Sequence, residues 1–374
     1  MTWNWQHKDW PQFIYSEEDF RDYERVFISG AGVTLGSVRH VARDDYDALK
    51  INLISDEAYK TSEIEGEILN RQSLQSSIKK QFGLQTDYRK IPPAEQGIAE
   101  MMVDLYRNYA EPLSDQTLCS WHRMLMNGHR DLEYIGDYRE HDDPMQIVSG
   151  SIDRPKVHFE APPSKQVKPE IKQFIRWFNT TSFGGRNQLP VLLRSGIAHL
   201  YFESIHPFED GNGRIGRAIS EKALSQYFGR PTLIAISSAI QNNRKAYYQA
   251  LHDVSVSLHI SQWLHYFCEM VLEAQARTQS VIDFLVEKGK FYQYYNGQFN
   301  ERQRKVIKRI FEEGISGFKG GLSAENYLSI TGTTRATATR DLQKLVEIGA
   351  FKRKGELRYT RYYLNIDHPS VNTD

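Results

Sequence analysis

The stretch His206-Pro207-Phe208-Glu209-Asp210-Gly211-Asn212-Gly213-Arg214-Ile215-Gly216-Arg217 decides how the rest of the chain is read. It sets a proton acceptor, a carboxylate, a Gly-Asn-Gly turn and two arginines one helical turn apart within a single short segment. Gly211 and Gly213 give the backbone conformations that a side chain forbids, so that successive N–H groups converge on an anion. Residues Arg217 to Tyr227 have helical composition. The turn therefore opens a helix, where free N–H groups and the macrodipole favour negative charge. Together these features point to phosphate chemistry.

Each feature has a plainer explanation when taken alone. A Gly-Asn-Gly sequence is a common turn, and a histidine before proline is a common boundary residue. A calcium loop would use Asp210, Asn212 and Glu221 as its first, third and twelfth residues, but it would then have Arg214 as a ligand and Ile215 where the sharp turn needs glycine. A Walker loop fails because no Gly-Lys-Ser/Thr follows the glycines.

The whole run resembles the Fic family signature H-x-F-x-[DE]-G-N-G-R-x-x-R, matching at every fixed position. The resemblance implies a mainly α fold, a Fic-type helical core with a short β-hairpin flap. It also implies a nucleotidyltransferase that moves AMP from ATP onto a Ser, Thr or Tyr hydroxyl of a protein, which could be the chain itself. On that reading His206 takes the proton of the incoming hydroxyl, and Asp210 binds the Mg2+ that bridges the α- and β-phosphates. Asn212 and the Gly211 and Gly213 amides hold the α-phosphate, Arg214 and Arg217 hold the β and γ groups, Gly216 lies in the same ATP-binding stretch, and Phe208 anchors the loop. The residue types suit this chemistry. A neutral imidazole, with a reference pKa of about 6.5, accepts a proton near neutral pH. Magnesium and guanidinium groups offset charge building on a leaving pyrophosphate.

A second motif is Thr61-Ser62-Glu63-Ile64-Glu65-Gly66. Apolar residues from Asp44 to Glu65 recur at helical spacing, with Gly66 as the stop. A carboxylate at that end of a helix opposes the dipole and calls for a cationic partner. The alternative is a capping box, Ser62 to Glu65, opening a helix instead of closing one. The motif resembles the Fic inhibitory sequence [ST]-x-x-x-E-[GN], with Thr61, Glu65 and Gly66 at the fixed positions. The resemblance implies that Glu65 pairs with Arg217 where the γ-phosphate would be held. A variant of this reading makes the protein bifunctional, with Glu65 positioning water to remove AMP.

Residues 147–163 (IVSGSIDRPKVHFEAPP) read as a hairpin, with Val157 and Phe159 alternating before a Pro162-Pro163 stop. In Fic relatives this segment is the flap that aligns a target's backbone by strand addition. Gly136-Asp137-Tyr138-Arg139 reads as a turn, and His158 is given no catalytic role. The stretch Ile240 to Leu251 resembles the family helix that borders adenine and makes Asn243 a nucleotide contact, since an amide both donates and accepts.

The chain has 374 residues, 25% charged and 40% hydrophobic, which suits an ordinary globular protein of roughly two or three domains. It contains no apolar span of about 18 residues, and its start, MTWNWQHKDWPQF, lacks the blocks of a secretion signal. The expectation is a cytoplasmic protein without membrane contact. Cys119 and Cys268 have neither zinc nor disulfide spacing and read as packed residues.

Net charge is zero overall, yet residues 301–365 hold 14 Lys/Arg against 7 Asp/Glu. This basic segment predicts a helix, a Gly-rich loop, a helix, the turn Thr331-Gly332-Thr333-Thr334, a longer helix to Ile348, and two strands around Gly355. It looks like a winged helix-turn-helix. Thr334, Arg335 and Arg340 would open the recognition helix, and Lys352 and Arg353 would meet phosphates. Winged helices bind DNA or protein, and both partners stay open. A rival overall reading is a DNA-binding regulator whose Fic core senses nucleotide without turnover. The domain plan is a helical unit with the inhibitory helix (1–90), the Fic core (91–270), a helical connector (271–300) and the winged helix (301–374). Oligomeric state is left open, a homodimer included.

Overall fold

A computed structural model describes residues 2–84, 90–151, 154–315, 317–318 and 320–366, and the fold is mainly helical. Helices α1 (Arg21–Val38), α2 (Arg43–Ile64), α3 (Arg71–Gln81), α4 (Pro93–Arg107) and α5 (Asp115–Leu125) precede a hairpin of β1 (Gln146–Ser151) and β2 (Arg154–Glu160). Then follow α6 (Ser164–Thr180), α7 (Val191–Ile205), α8 (Asn212–Phe228), α9 (Ile236–Asn242), α10 (Arg244–Val254) and α11 (Ser261–Tyr294). The chain finishes with α12 (Glu301–Glu312), α13 (Ala324–Thr331), α14 (Arg335–Glu347), β3 (Phe351–Lys354) and β4 (Arg361–Leu364). Two compact units result: Met1–Ala31 with Asp47–Thr278, and Gly32–Tyr46 with Gln279–Asp374. The stretch expected to be a connector is largely the continuation of α11.

In the first unit α7 is buried along nearly its whole length, as a helix apolar on every side must be. Leu192, Leu193 and Ile197 of α7 pack with Leu224 of α8 and with Trp263, Phe267 and Val271 of α11. Pro207 disfavours helical geometry in the residue before it, so α7 stops at Ile205. His206 then turns into the left-handed region (φ 50, ψ 61). Gly211, at φ 80, caps α8. The direction change between two packed helices is thus made by a histidine and a glycine.

The hairpin pairs Ile147 with Phe159 but Val148 with Val157, leaving His158 as an extra residue in a β-bulge. Its residues 152–153 lie outside the described ones. The start of the chain braces this hairpin. Trp3 packs edge-on against Phe159 at 5.5 Å, and the Trp5 indole donates to the Glu160 carbonyl at 2.6 Å. Between them Asn4, fully buried, donates its backbone N–H to the Ser255 carbonyl (2.7 Å) and its amide to the Ser204 hydroxyl (2.8 Å).

The second unit packs α12, α13 and α14 with the antiparallel β3–β4 pair around Val306, Ile307, Leu342, Leu345 and Phe351. Leu322 forms an antiparallel bridge to Tyr362, extending the small sheet by one rung. No helix among the described residues is long and apolar enough to cross a membrane.

Candidate active site

His206 is held by its backbone before its side chain is considered. The Arg139 guanidinium donates through Nε to the His206 carbonyl at 2.8 Å, and the Arg139 N–H donates to the Pro207 carbonyl at 3.0 Å. A left-handed non-glycine residue costs roughly 1–3 kcal/mol, which these bonds and the helix cap offset. Burial, and then the positive charge of Arg139, push the imidazole pKa down to about 4, so the ring is neutral at pH 7. Its Nδ1 lies 3.9 Å from the Glu203 carboxyl, beyond hydrogen-bonding range. Burial, and then the nearby Glu65 charge, push Glu203 up to about 8, so this carboxyl is protonated at neutral pH.

The following loop is fixed from three sides. Phe208 is fully buried and stacks on His122, with centroids 4.1 Å apart and rings 7° from parallel. The Asn212 side chain accepts from the Phe208 N–H (3.0 Å) and donates to the Phe208 carbonyl (2.8 Å). Glu209 accepts the N–H groups of Glu133 and Tyr134 at 2.9 and 2.8 Å. Since the Asn212 amide is committed to the loop, what this residue offers an anion is its backbone N–H, together with those of Gly213 and Arg214 in the first turn of α8. The Asp210 carboxylate stands beside them with about half of its surface exposed.

Opposite this cradle, α2 ends at Ile64, and Gly66 (φ 90) lets the Glu67 N–H reach back to the Ser62 carbonyl at 3.0 Å. This is a Schellman closure, so the capping-box reading of Ser62 and Glu65 fails: the motif closes a helix. Glu65 projects onto Arg217, with Oε1 2.7 Å from Nη2. Thr61 holds the same guanidinium through its hydroxyl (2.7 Å from Nε) and its carbonyl (3.0 Å from Nη2). Burial works against the Arg217 charge, but the Glu65 carboxylate more than offsets it and holds the pKa above its ordinary value. A Cβ built on Gly213 would lie 2.2 Å from Glu65 Oε1, so only glycine there lets the carboxylate cover the start of α8. Arg214 is engaged as well, by Glu67 at 2.6 Å and Asp210 at 3.4 Å.

Beside these groups lies a cavity of about 550 Å3, in the size range of small-ligand sites, whose wall does not include Arg214 or Arg217. Glu65, Glu203, His206, Asp210, Gly211, Asn212 and Gly213 form one side, the hairpin residues Ile147, Val148, His158 and Phe159 another, and Arg244, Tyr247, Tyr248, Leu251 and His252 of α10 a third. Two more of the expected site residues stand away from the cavity wall. Asn243 is exposed and absent from the cavity wall, where Arg244 and Tyr248 stand in its place. Gly216 faces the interior of the helix pair, where an added Cβ would meet Glu203 Oε1 at 2.6 Å and His199 Nδ1 at 3.1 Å. Its role is close packing. Sequence reasoning passed over Arg139, Glu203 and Glu67. Arg139 gave a signal, a charged residue next to an aromatic in a Gly-Asp-Tyr-Arg turn, but nothing in the sequence marked its partner as the His206 carbonyl. Thr334, Arg335, Arg340, Lys352 and Arg353 belong to the second unit.

A family model described as Fic/DOC family matches residues 112–224, the span that carries the loop, α7 and most of α8. Residues 112–224 therefore carry a Fic/DOC family domain. A second family model, described only as a domain of unknown function, matches residues 3–84 and so takes in both the bracing segment and Glu65. The chain is 30% identical over 95 residues to a probable protein adenylyltransferase of Aquifex aeolicus, a match covering 25% of this chain and 26% of that relative. Among solved structures, a Fic family protein from Desulfovibrio desulfuricans G20 superposes with a TM-score of 0.53 at 19% identity over 95% of this chain and 98% of its own. A Fic domain containing signaling protein from Bacteroides thetaiotaomicron gives 0.51 at 18% identity, over 70% and 97%. At these identities the structural likeness concerns the fold.

Proposed function

We propose that the cavity binds ATP and that the protein transfers AMP from it to a hydroxyl of a protein, with Glu65 restraining the reaction. The observation that carries this is the Glu65–Arg217 pair lying over Gly213 at the N-terminus of α8, because it puts a carboxylate where a polyphosphate would otherwise sit. Two buried guanidinium nitrogens, Arg217 Nη1 and Arg214 Nε, have no hydrogen-bond partner among the described residues. Donors of that kind suit an anion that has yet to arrive. The name of the Aquifex relative, a probable protein adenylyltransferase, agrees with the transfer.

The acceptor oxygen attacks the α-phosphorus, its proton passes to the neutral His206 imidazole, the bond from the α-phosphorus to the bridging oxygen breaks, and pyrophosphate leaves. Arg139 fixes the position of His206 through its carbonyl, and the α8 N–H groups receive the phosphate oxygens. Asp210 is an exposed hard-oxygen donor at the mouth of the cradle, which fits Mg2+, an ion usually held by one or two carboxylates plus phosphates. When bound there it would offset charge on the pyrophosphate. Arg214 and Arg217 do the same with fixed charges, once Glu67 and Glu65 release them.

Incubation with ATP labelled at either the α or the γ phosphorus tests the reading. Protein-bound label from the α position alone, lost in His206→Ala, supports AMP transfer. Label from the γ position would show phosphoryl transfer and reject it.

A further inference from the structure

We infer that the second unit is a double-stranded DNA reader that seats α14 in the major groove and its β3–β4 wing on the neighbouring backbone. Three observations combine. First, α13 and α14 are joined by a tight turn at Gly332 (φ 66), and the Thr334 hydroxyl caps α14 by accepting from the Thr337 N–H, which frees the first turn of α14 to project outward. The antiparallel β3–β4 pair follows α14 directly, giving the helix, turn, helix and wing order that presents a recognition helix.

Second, the outward face of α14 is built for close approach. Arg335, Ala336, Thr339, Arg340 and Gln343 are exposed on one side. Two of them are small, and Arg and Gln are the residue types that read guanine and adenine edges. The inward side holds Ala338, Leu342 and Leu345 in the core.

Third, the acid in the middle of α14 is withdrawn from the outward side. Asp341 is turned inward and held by Arg302 (2.8 Å), Asn300 (3.0 Å) and the Tyr327 hydroxyl (2.9 Å), while Glu347 stays exposed at the far end of the helix, 3.5 Å from Lys344. Lys352, Arg353 and Arg358 remain exposed along the wing. At the wing tip Leu357 is 93% exposed and left-handed (φ 50), beside Arg358. An apolar residue and an arginine presented together suit a minor groove. The choice of duplex DNA follows from geometry, since the major groove of A-form RNA is too deep and narrow for a helix to read.

The test uses the full chain and a short random-sequence DNA duplex, followed by fluorescence anisotropy as salt rises. The expected affinity falls on the order of 100-fold between about 50 and 200 mM salt, as release of counterions from about four phosphates requires. Lys352→Gln with Arg353→Gln should flatten the log–log slope by about 2, and Arg340→Ala should weaken binding at every salt concentration. These residues are exposed, so melting temperature is expected to be unchanged; Lys352→Ala with Arg353→Ala serves as a second pair if the first destabilises the protein. Absence of binding at the lowest salt, an unaltered slope in both double variants, or equal affinity for duplex RNA would overturn the assignment. His206→Ala should bind DNA like the unaltered chain, so failure here and failure of the AMP-transfer reading are read separately.

Discussion

Glu65 and Arg217 stand 152 residues apart in the chain and meet at 2.7 Å, with the arginine side chain 1% exposed and the carboxylate 27%. Neither residue alone accounts for the other's position. Glu65 at the end of α2 opposes that helix's dipole, and Arg217 inside the α7–α8 pair is a charge that burial disfavours. Their pairing resolves both.

Removing one partner should therefore weaken the free protein and strengthen its response to nucleotide. Glu65→Ala leaves the Arg217 charge with Thr61 alone, at an expected cost of about 1–2 kcal/mol, below the value for a fully buried pair because the carboxylate is partly solvated. Melting should drop by a few degrees, and ATP with Mg2+ should raise the variant's melting temperature more than that of the unaltered chain. An equal ATP shift in both would argue that the carboxylate does not compete with phosphate.

His206 should titrate near pH 4 in the nucleotide-free protein. Because burial lowers its folded-state pKa below the ordinary 6.5, its contribution to stability is present above pH 6.5 and lost as pH falls through about 4. An NMR titration of the imidazole resonances reads this directly. A midpoint at or above 6.5 would mean that the ring is solvated in the free protein.

Phe208→Ala should destabilise by about 3–5 kcal/mol, because the ring is wholly buried and stacked on His122. Chemical denaturation measures it. A loss under about 1 kcal/mol would show that the loop is not anchored through this ring.

Much of the site was legible because it is local. The loop from His206 to Arg217 is contiguous, its prolyl and glycyl residues dictate the helix break and restart, and the C-terminal glycine of α2 marks where Glu65 stands. What the sequence did not show is what depends on three-dimensional juxtaposition. Asn243 and Arg244 are neighbours, and a shift of one residue at the start of α10 decides which of them faces the cavity. Gly216 shares its loop with Gly211 and Gly213 but faces inward, toward Glu203 and His199. Glu203 is one helical turn from His206 and carries no sequence mark of its burial. The aromatic residues at the start of the chain announced packing without naming what they pack on.

That bracing gives a further expected outcome. Asn4→Ala removes a buried amide that ties to Ser204 and sits between Trp3 and Trp5, so it should cost roughly 1–3 kcal/mol. Hydrogen exchange at residues 156–160 should quicken as the hairpin loosens. Unchanged exchange in that strand would show that the N-terminal segment covers the core without steadying the hairpin.

The most direct measurement is AMP incorporation from α-labelled ATP by purified Glu65→Gly, set beside the unaltered chain and the Glu65→Gly/His206→Ala pair. Release of Arg217 should raise incorporation about tenfold or more, within the usual range of coupling between two sites, and the double substitution should return it to background. Incorporation by Glu65→Gly no greater than that of the unaltered chain, with ATP bound in both, would contradict the restraint that the Glu65–Arg217 pair is held to impose.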